Sequence, residues 1–188
     1  MQQFPSSITQ NKDSLRKYCK NLKHELFASG ELELISKAIV NNILKSDFFK
    51  NAKDVMLFYP LKEEINLLDL LKCSDKNFYF PKCEDKNLLV CPHCDEFSVN
   101  KYSILEPESS PLLDLSVLDL IFVPALCADV NYYRLGYGCG YYDRFLSNKG
   151  LRAKKIVPVS EKFLFEKIPT DKFDIACDIL VSENCIMQ

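Results

Sequence analysis

Short apolar runs that alternate with helical stripes constrain the fold of this chain more than any other feature. Residues 55–60 form a short apolar run closed by a proline, and residues 118–123 form the strongest strand candidate in the chain. Further strands are predicted at 77–81, 156–159 and 175–181, with shorter strand-like pieces at 88–90 and 97–102. Runs of this kind are typical of strands buried on both faces. The alternation therefore predicts an α/β sandwich with a largely parallel sheet.

Apolar residues at three- and four-residue steps predict the helices. The first helix should run from 9 to 28, with Thr9 as a candidate N-cap and Gly30 as its stop, and the second from 34 to about 53. Brief helices are predicted at 67–72, 141–148 and around 163–167. Residues 82–111 mix strand-like pieces with turn residues, which indicates a small hairpin or an irregular excursion. Because there is no repeat or linker, we expect one domain over 1–188.

The overall composition excludes several classes of protein. Twenty-four basic and twenty-six acidic side chains leave a net charge of −2, whereas a general nucleic-acid binder needs an excess of lysine and arginine. No segment approaches the roughly 20 consecutive apolar residues of a membrane span, and the N-terminus has no apolar signal region. Nine scattered cysteines, an odd number, indicate reduced thiols. We therefore expect a cytoplasmic protein, a monomer, with neither a nucleic-acid nor a membrane partner.

Three of the five glycines, Gly136, Gly138 and Gly140, stand at alternate positions between a predicted strand and a predicted helix. Ligands of open α/β sheets bind beyond the carboxyl ends of strands, and loop amides there can cradle phosphate oxygens. Arg134 and Arg144 bracket the loop and add positive charge. The spacing matches neither the P-loop nor the dinucleotide fingerprint. By itself it leaves open a tight turn that needs glycines only for its geometry.

The stretch from Pro124 to Leu146, with the core Arg134-Leu-Gly-Tyr-Gly-Cys-Gly-Tyr-Tyr-Asp-Arg144, resembles the signature of the 5-formyltetrahydrofolate cyclo-ligase (5,10-methenyltetrahydrofolate synthetase) family. Four further similarities follow the family's order along the chain: the basic pair Lys12 and Arg16, the segment Tyr59 to Ile65 with Glu64, the element Ile104-Leu-Glu-Pro107, and the pattern Pro169, Asp174, Asp178. Ala128 and Tyr132 depart from the phenylalanine and glycine that are common in the family, and Cys139 occupies a variable position.

This resemblance implies an ATP- and Mg²⁺-dependent ligase with two small-molecule substrates, ATP and a folate. The enzyme would convert 5-formyltetrahydrofolate to 5,10-methenyltetrahydrofolate, ADP and phosphate, through phosphorylation of the formyl oxygen and ring closure by N10. It also implies a three-layer α/β/α fold similar to the sugar-phosphate isomerase and CoA-transferase group.

The resemblance also assigns site residues. Arg134 and Lys12 would act in catalysis, and Asp143 and Asp174 would hold Mg²⁺. The ATP site would comprise Lys12, Arg16, Arg134, Leu135, Gly136, Tyr137, Gly138, Cys139, Gly140, Tyr141 and Tyr142. The folate would contact Tyr59, Glu64, Tyr102 and Tyr141. Without the resemblance, four charged residues would be assigned to solvated helix and turn positions: Lys12, Arg16, Asp143 and Asp174. Core packing remains an alternative for Tyr59 and Tyr102.

Two alternatives remain open at the level of sequence. One is a non-catalytic module that binds folate or nucleotide on the same scaffold. The other concerns a cysteine cluster formed by Cys73, Cys83, Cys91 and Cys94 together with His93. A structural zinc site needs four ligands, often as two close pairs, and this cluster contains one such pair. Small buried thiols are therefore favoured over zinc.

Overall fold

A computed structural model describes residues 11–112 and 114–188 of the chain. Helix α1 (Lys12–Ala28) begins after Asn11, whose side chain accepts a hydrogen bond of 2.8 Å from the Asp13 backbone. The predicted cap, Thr9, lies outside the described residues. Gly30 adopts a left-handed conformation (φ +76°) between α1 and α2, so the predicted stop is confirmed.

The second predicted helix is wrong in its extent, because Ser46 divides it into α2 (Glu31–Lys45) and α3 (Asp47–Asn51). The Ser46 backbone is extended, with ψ of 145°. Its hydroxyl donates to the Ile43 carbonyl at 2.6 Å and accepts from the Phe49 amide at 3.4 Å. One serine thus ends one helix and caps the next, which apolar periodicity does not reveal.

The described strands, in chain order, are β1 (Asp54–Met56), β2 (Asn77–Glu84), β3 (Asn87–Pro92), β4 (Phe97–Val99), β5 (Leu105–Pro107), β6 (Leu120–Phe122), β7 (Cys127–Asp129), β8 (Arg134–Leu135), β9 (Lys154–Pro158), β10 (Leu164–Phe165), β11 (Ile179–Val181) and β12 (Ile186–Met187). Short 3₁₀ helices occupy Leu68–Lys72, Leu115–Val117 and Glu161–Phe163, and helix α4 spans Tyr141–Leu146.

The main sheet has the order β12-β11-β9-β6-β1-β2-β3. The four pairings from β11 to β2 are parallel, and β12 and β3 join the two edges in antiparallel orientation. Its central strands β1, β6 and β9 carry residues such as Val55, Ile121 and Ile156 that are fully buried. The predicted α/β fold with a largely parallel sheet is confirmed.

Two smaller sheets complete the fold. One is the antiparallel pair β4 and β5, which lies within residues 82–111 after the β2–β3 hairpin of the main sheet. The other small sheet has the order β10-β7-β8. The helix predicted around 163–167 is wrong, because Leu164 and Phe165 form a strand parallel to β7. Both side chains are buried there, and a short apolar run does not by itself distinguish a strand from a helix.

Among the described residues, no helix is both long and apolar enough to cross a membrane.

Candidate functional site

The glycine loop, residues 136–140, connects β8 to α4. It does not follow the strongest predicted strand directly, because β7 and β8 intervene after β6. Gly138 (φ +106°) and Gly140 (φ +68°) adopt the left-handed conformation that favours glycine, whereas Gly136 does not. Helix α4 has only six residues. An anion bound at this segment would therefore be held by the backbone amides of the loop rather than by a helix dipole.

Helix α1 places Arg16 across the glycine loop. Its Nε donates to the Gly136 carbonyl at 3.0 Å, and its Nη1 donates to the Asp13 carboxylate at 2.6 Å. The guanidinium carbon lies 3.3 Å from the point that a Cβ atom of Gly138 would occupy. This close approach gives Gly138 a second reason to be glycine and holds a cation against the loop.

One turn earlier in α1, Lys12 contacts two carboxylates. Its Nζ lies 2.7 Å from Asp171 Oδ2 and 2.6 Å from Asp174 Oδ2. Burial opposes the charge of Lys12, but the two carboxylates outweigh this effect and raise its pKa above the ordinary value. Lys12 is therefore a firmly charged ammonium group fixed beside the loop.

Arg134 lies on β8 and is 7% exposed. Its Nη2 donates to Asp143 Oδ1 and its Nη1 donates to the Ile175 carbonyl, both at 3.0 Å. Asp143 belongs to the first turn of α4. Each carboxylate predicted to hold Mg²⁺ therefore contacts one of the cations predicted to bind ATP: Asp143 contacts Arg134, and Asp174 contacts Lys12.

Glu64 is a buried carboxylate, 6% exposed, in the wall of the same cleft. Its Oε2 accepts a hydrogen bond of 2.8 Å from the Leu61 amide, and its charge acts on the nearby Tyr137 hydroxyl. Burial and the negative charge of Glu64 both raise the pKa of Tyr137. Glu64, in the segment that follows β1, is thus close to Tyr137 of the glycine loop.

Lys23 is a buried cation in the same region as Glu64. It occupies the buried stripe of α1, is 5% exposed, and donates to the Ala125 carbonyl at 2.8 Å. Burial lowers the pKa of Lys23, and the nearby carboxylate of Glu64 opposes this lowering. Lys23 was not among the residues predicted for the site, because a lysine at a core position of an amphipathic helix has no distinctive sequence signal.

Aromatic side chains line the cleft near Glu64. Tyr59 stacks on Phe80 with ring centroids 4.2 Å apart, and burial raises its pKa to about 12. The Tyr102 and Tyr141 hydroxyls lie 3.4 Å apart, and the Tyr141 hydroxyl also donates to the Asp85 carbonyl at 2.9 Å. These contacts connect the glycine-loop side of the cleft to the β2–β3 hairpin.

Tyr142 is held differently from its neighbour. Its hydroxyl is buried and has no hydrogen-bond partner within the described part of the chain. Burial and the charge of Glu64 raise its pKa well above the usual range. An unsatisfied buried hydroxyl is costly, so a ligand in the cleft that accepts this hydrogen bond would gain affinity from it.

Every residue predicted for the site lines one cleft of about 1110 Å³. The structure therefore brings together segments from α1, the β1–β2 crossover, the β4–β5 turn, the glycine loop and the stretch before β11. It adds cleft residues that the sequence analysis missed, among them Cys83, Asp171, Lys172 and Phe173. The sequence offered one indication that Asp171 belongs to the cleft, namely its position three residues before the motif residue Asp174.

The cysteine cluster does not form a preformed metal site in the described part of the chain. No group of three or more histidine, cysteine, aspartate or glutamate residues is close enough there to hold a metal ion. All nine cysteines are free, and Cys91 is buried on β3. Burial, followed by the nearby Glu106 carboxylate, raises the pKa of Cys83 to about 11.

Comparison with known proteins agrees with the motif order. The model of the 5-formyltetrahydrofolate cyclo-ligase family matches residues 8–183. The chain belongs to this family. A Haemophilus influenzae protein named 5-formyltetrahydrofolate cyclo-ligase is 27% identical over 187 residues, covering 92% of this chain and 98% of that protein. As a family member, this chain is a ligase.

Solved structures of related proteins have the same fold. The NMR structure of Aquifex aeolicus 5,10-methenyltetrahydrofolate synthetase superposes with a TM-score of 0.80 at 30% identity, covering 93% of this chain and 91% of that one. The synthetase from Mycoplasma pneumoniae has a TM-score of 0.73 at 19% identity, covering 93% of this chain and 99% of that one.

One of the two departures from the family pattern, Tyr132, lies at a strained backbone position. Tyr132, where glycine is common, has φ +67° and is one of the non-glycine residues in the left-handed region. A side chain in that region typically costs about 1–2 kcal/mol. The strained backbone is fixed by hydrogen bonds from the Tyr132 amide to the Asp129 carbonyl and from the Cys177 amide to the Tyr132 carbonyl, both 2.9 Å. Ala128 is fully buried on β7.

Proposed function

We propose that this enzyme uses ATP and Mg²⁺ to convert 5-formyltetrahydrofolate to 5,10-methenyltetrahydrofolate, ADP and phosphate. The observation that supports this proposal most is the arrangement of one cleft. Lys12, Arg16 and Arg134 converge with the glycine loop in that cleft, and Glu64 and several tyrosines line it as well. An anion-binding region and an aromatic, hydrogen-bonding region in one cavity suit a triphosphate and a pterin.

The triphosphate would lie against the glycine loop. Three of the cations near this loop would bind the phosphates: Arg16 lies across it, Arg134 precedes it and Lys12 stands one helical turn from Arg16. In phosphoryl transfer the protein contributes mainly positioning and charge stabilisation. Because each cation is already held by hydrogen bonds or ion pairs, little reorganisation is required when the phosphates bind.

Asp143 and Asp174 fit a magnesium site that the nucleotide completes. The hydrogen bonds of each carboxylate use a single oxygen, Oδ1 of Asp143 and Oδ2 of Asp174. The other oxygen of each could serve as a ligand, and Mg²⁺ in such sites is typically held by one or two carboxylates together with substrate phosphates and water. When bound, the ion would neutralise charge on the phosphate oxygens.

The folate would be recognised by Glu64 and the tyrosines. A buried carboxylate can accept hydrogen bonds from the N–H groups of a reduced pterin. Tyr59 and Tyr102 offer aromatic surface for the flat ring, and Tyr141 lies between this region and the glycine loop. This arrangement would bring the formyl group towards the terminal phosphate.

The proposed reaction balances without a protein nucleophile. The formyl oxygen attacks the γ-phosphorus, and the bond from that phosphorus to the β–γ bridging oxygen breaks to release ADP. N10 then attacks the formyl carbon, the bond from that carbon to the phosphorylated oxygen breaks, and the N10 proton leaves with solvent. The formyl oxygen thus departs in phosphate. The protein's part is to orient both substrates and to exclude competing water.

An absorbance assay tests the proposal, because the methenyl product absorbs in the near ultraviolet and the formyl substrate does not. We expect the signal to grow with the purified enzyme only when ATP and Mg²⁺ are both present. Binding of the formyl folate without any ATP-dependent signal would favour a binding module instead.

A matched pair of variants tests the folate assignment. Glu63 and Glu64 are adjacent, but Glu64 lines the cleft whereas Glu63 contacts His24 at 2.7 Å. Loss of a hydrogen bond to a charged group typically costs about 1.5–3 kcal/mol, so Glu64→Gln should raise KM for the folate roughly 10- to 150-fold. KM for ATP should rise less than KM for the folate, because Glu64 is also close to Tyr137 of the glycine loop, and Glu63→Gln should behave as the wild type. Equal effects of the two variants would contradict the assignment.

A further inference from the structure

Residues 171–174 form a tight turn at the rim of the cleft. The Asp174 amide donates to the Asp171 carbonyl at 3.0 Å, which places Lys172 and Phe173 at the centre of a β-turn. The Asp171 amide in turn donates to the Asp174 carboxylate at 2.7 Å. Both carboxylates contact Lys12. The turn is therefore closed on itself and attached to the first residue of α1.

The residue that follows this turn is also fixed. The Ile175 amide lies 3.4 Å from Asp143 Oδ1, and the Ile175 carbonyl accepts from Arg134. Lys12 and Arg134 are the cations that we assign to the triphosphate. The turn is thus connected on both sides to the groups of the cleft that we assign to the nucleotide. Among the described residues, none of its hydrogen bonds involves Glu64 or the tyrosines that we assign to the folate.

Phe173 is 71% exposed, the highest value for a large apolar side chain among the described residues. Single exposed apolar residues are common on protein surfaces, so exposure alone carries no conclusion. Phe173, however, lines the cleft and sits on a turn whose backbone is held by the groups named above. The Lys172 ammonium lies 4.9 Å from the centre of its ring. A cation over one face of the ring leaves the opposite face for another aromatic ring.

We propose that Phe173 stacks on the purine base of bound ATP and thereby makes this site select a nucleotide over a bare polyphosphate. This inference rests on the proposed function, since it requires the triphosphate to lie at Lys12 and Arg134. Stacking of a base on an aromatic side chain is worth roughly a tenfold change in affinity or more. A ring held on a closed turn would add this affinity with little loss of conformational entropy.

Binding of ATP and of inorganic tripolyphosphate, each measured by calorimetry with Mg²⁺ present, tests the inference. Phe173→Ala should weaken ATP binding roughly tenfold and leave tripolyphosphate binding unchanged. Phe173→Trp, which keeps an aromatic face, should restore ATP binding. Leu34→Ala is the matched control, because Leu34 is 68% exposed on α2 and does not line the cleft. It should bind both ligands as the wild type does.

Three outcomes would overturn the inference. Equal loss of ATP and tripolyphosphate binding in Phe173→Ala would mean that the side chain only supports the turn. Loss of affinity for the formyl folate with ATP binding intact would place the folate's aromatic ring there instead. Failure of the wild-type protein to bind either polyphosphate would refute the proposed function itself, and with it this inference.

Discussion

Arg134 and Asp143 form an ion pair of 3.0 Å that joins the two ends of the glycine loop, since Arg134 lies on β8 before the loop and Asp143 lies in α4 after it. This ion pair closes residues 134–143 into a small ring. Arg16 lies across that ring, held by the Gly136 carbonyl. The loop amides are thus ordered before any ligand binds, which reduces the entropic cost of binding an anion.

Replacing Arg134 should therefore affect the nucleotide more than the folate. Arg134→Ala removes a cation and leaves Asp143 and the Ile175 carbonyl without their donor. We expect KM for ATP to rise roughly 10- to 150-fold, as for the loss of a hydrogen bond to a charged group, with a much smaller change for the folate. Steady-state kinetics with each substrate varied in turn will measure this, and Arg134→Lys should retain part of the affinity. Equal losses for both substrates would contradict the assignment.

The glycines of the loop should differ in their tolerance of a side chain. At Gly140 a Cβ atom would lie 2.7 Å from Arg144 Nη1, and φ is +68°. Gly140→Ala should lower the free energy of unfolding by about 1–3 kcal/mol and weaken ATP binding. In the described part of the chain, no atom beyond Gly136 and its two neighbours lies within 4 Å of the Cβ position there, and φ is not positive. Gly136→Ala should therefore be nearly neutral in chemical denaturation. The prediction fails if the two variants are equally stable.

Bound ATP should protect one cysteine from alkylation. Cys139 and Cys185 are both exposed, but only Cys139 lines the cleft. With iodoacetamide at pH 8, followed by peptide mass spectrometry, we expect ATP to slow labelling of Cys139 and to leave Cys185 unchanged. Cys83 should react slowly throughout, because burial raises its pKa to about 11 and the thiolate is the reactive form. Rapid labelling of Cys139 with saturating ATP would place the nucleotide elsewhere.

Lys23 should make stability depend on pH. Because burial lowers the pKa of Lys23 below its ordinary value of 10.5, the folded state binds fewer protons than the unfolded state between those two pKa values. The free energy of unfolding contributed by this group should therefore rise with pH across that window. Tyr59, Tyr79 and Cys83, whose pKa values are raised, act in the opposite direction above about pH 9.

The variant Lys23→Met isolates this contribution, since the opposing groups are common to both proteins. The difference in unfolding free energy between wild type and variant should change with pH in denaturant titrations from pH 7 to 10. A difference that stays constant over this range would show that Lys23 keeps the same protonation state in the folded and unfolded protein.

The sequence pattern predicted a structural feature correctly where the residues that determine this feature lie within one short segment. The parallel sheet followed from runs such as 118–123, because strands buried on both faces have no polar alternation. The spacing of Gly136, Gly138 and Gly140 alone indicated a candidate ligand-binding loop, and the order of five motifs along the chain indicated the family. The local pattern did not predict the helix boundary at Ser46, where one hydroxyl ends α2 and caps α3. It also predicted a helix at Leu164–Phe165, whereas these residues pair with β7 as a strand.

The amino-acid sequence by itself determined the class of fold, the position of the glycine loop and the family, since each depends on the order of residue types along the chain. Only the tertiary structure decided which charges meet. Lys12 and Asp174 are 162 positions apart, and Arg134 and Ile175 are 41 apart, yet each pair is in direct contact. Contacts between distant segments depend on how the sheet and helices stack, and no local periodicity encodes that geometry.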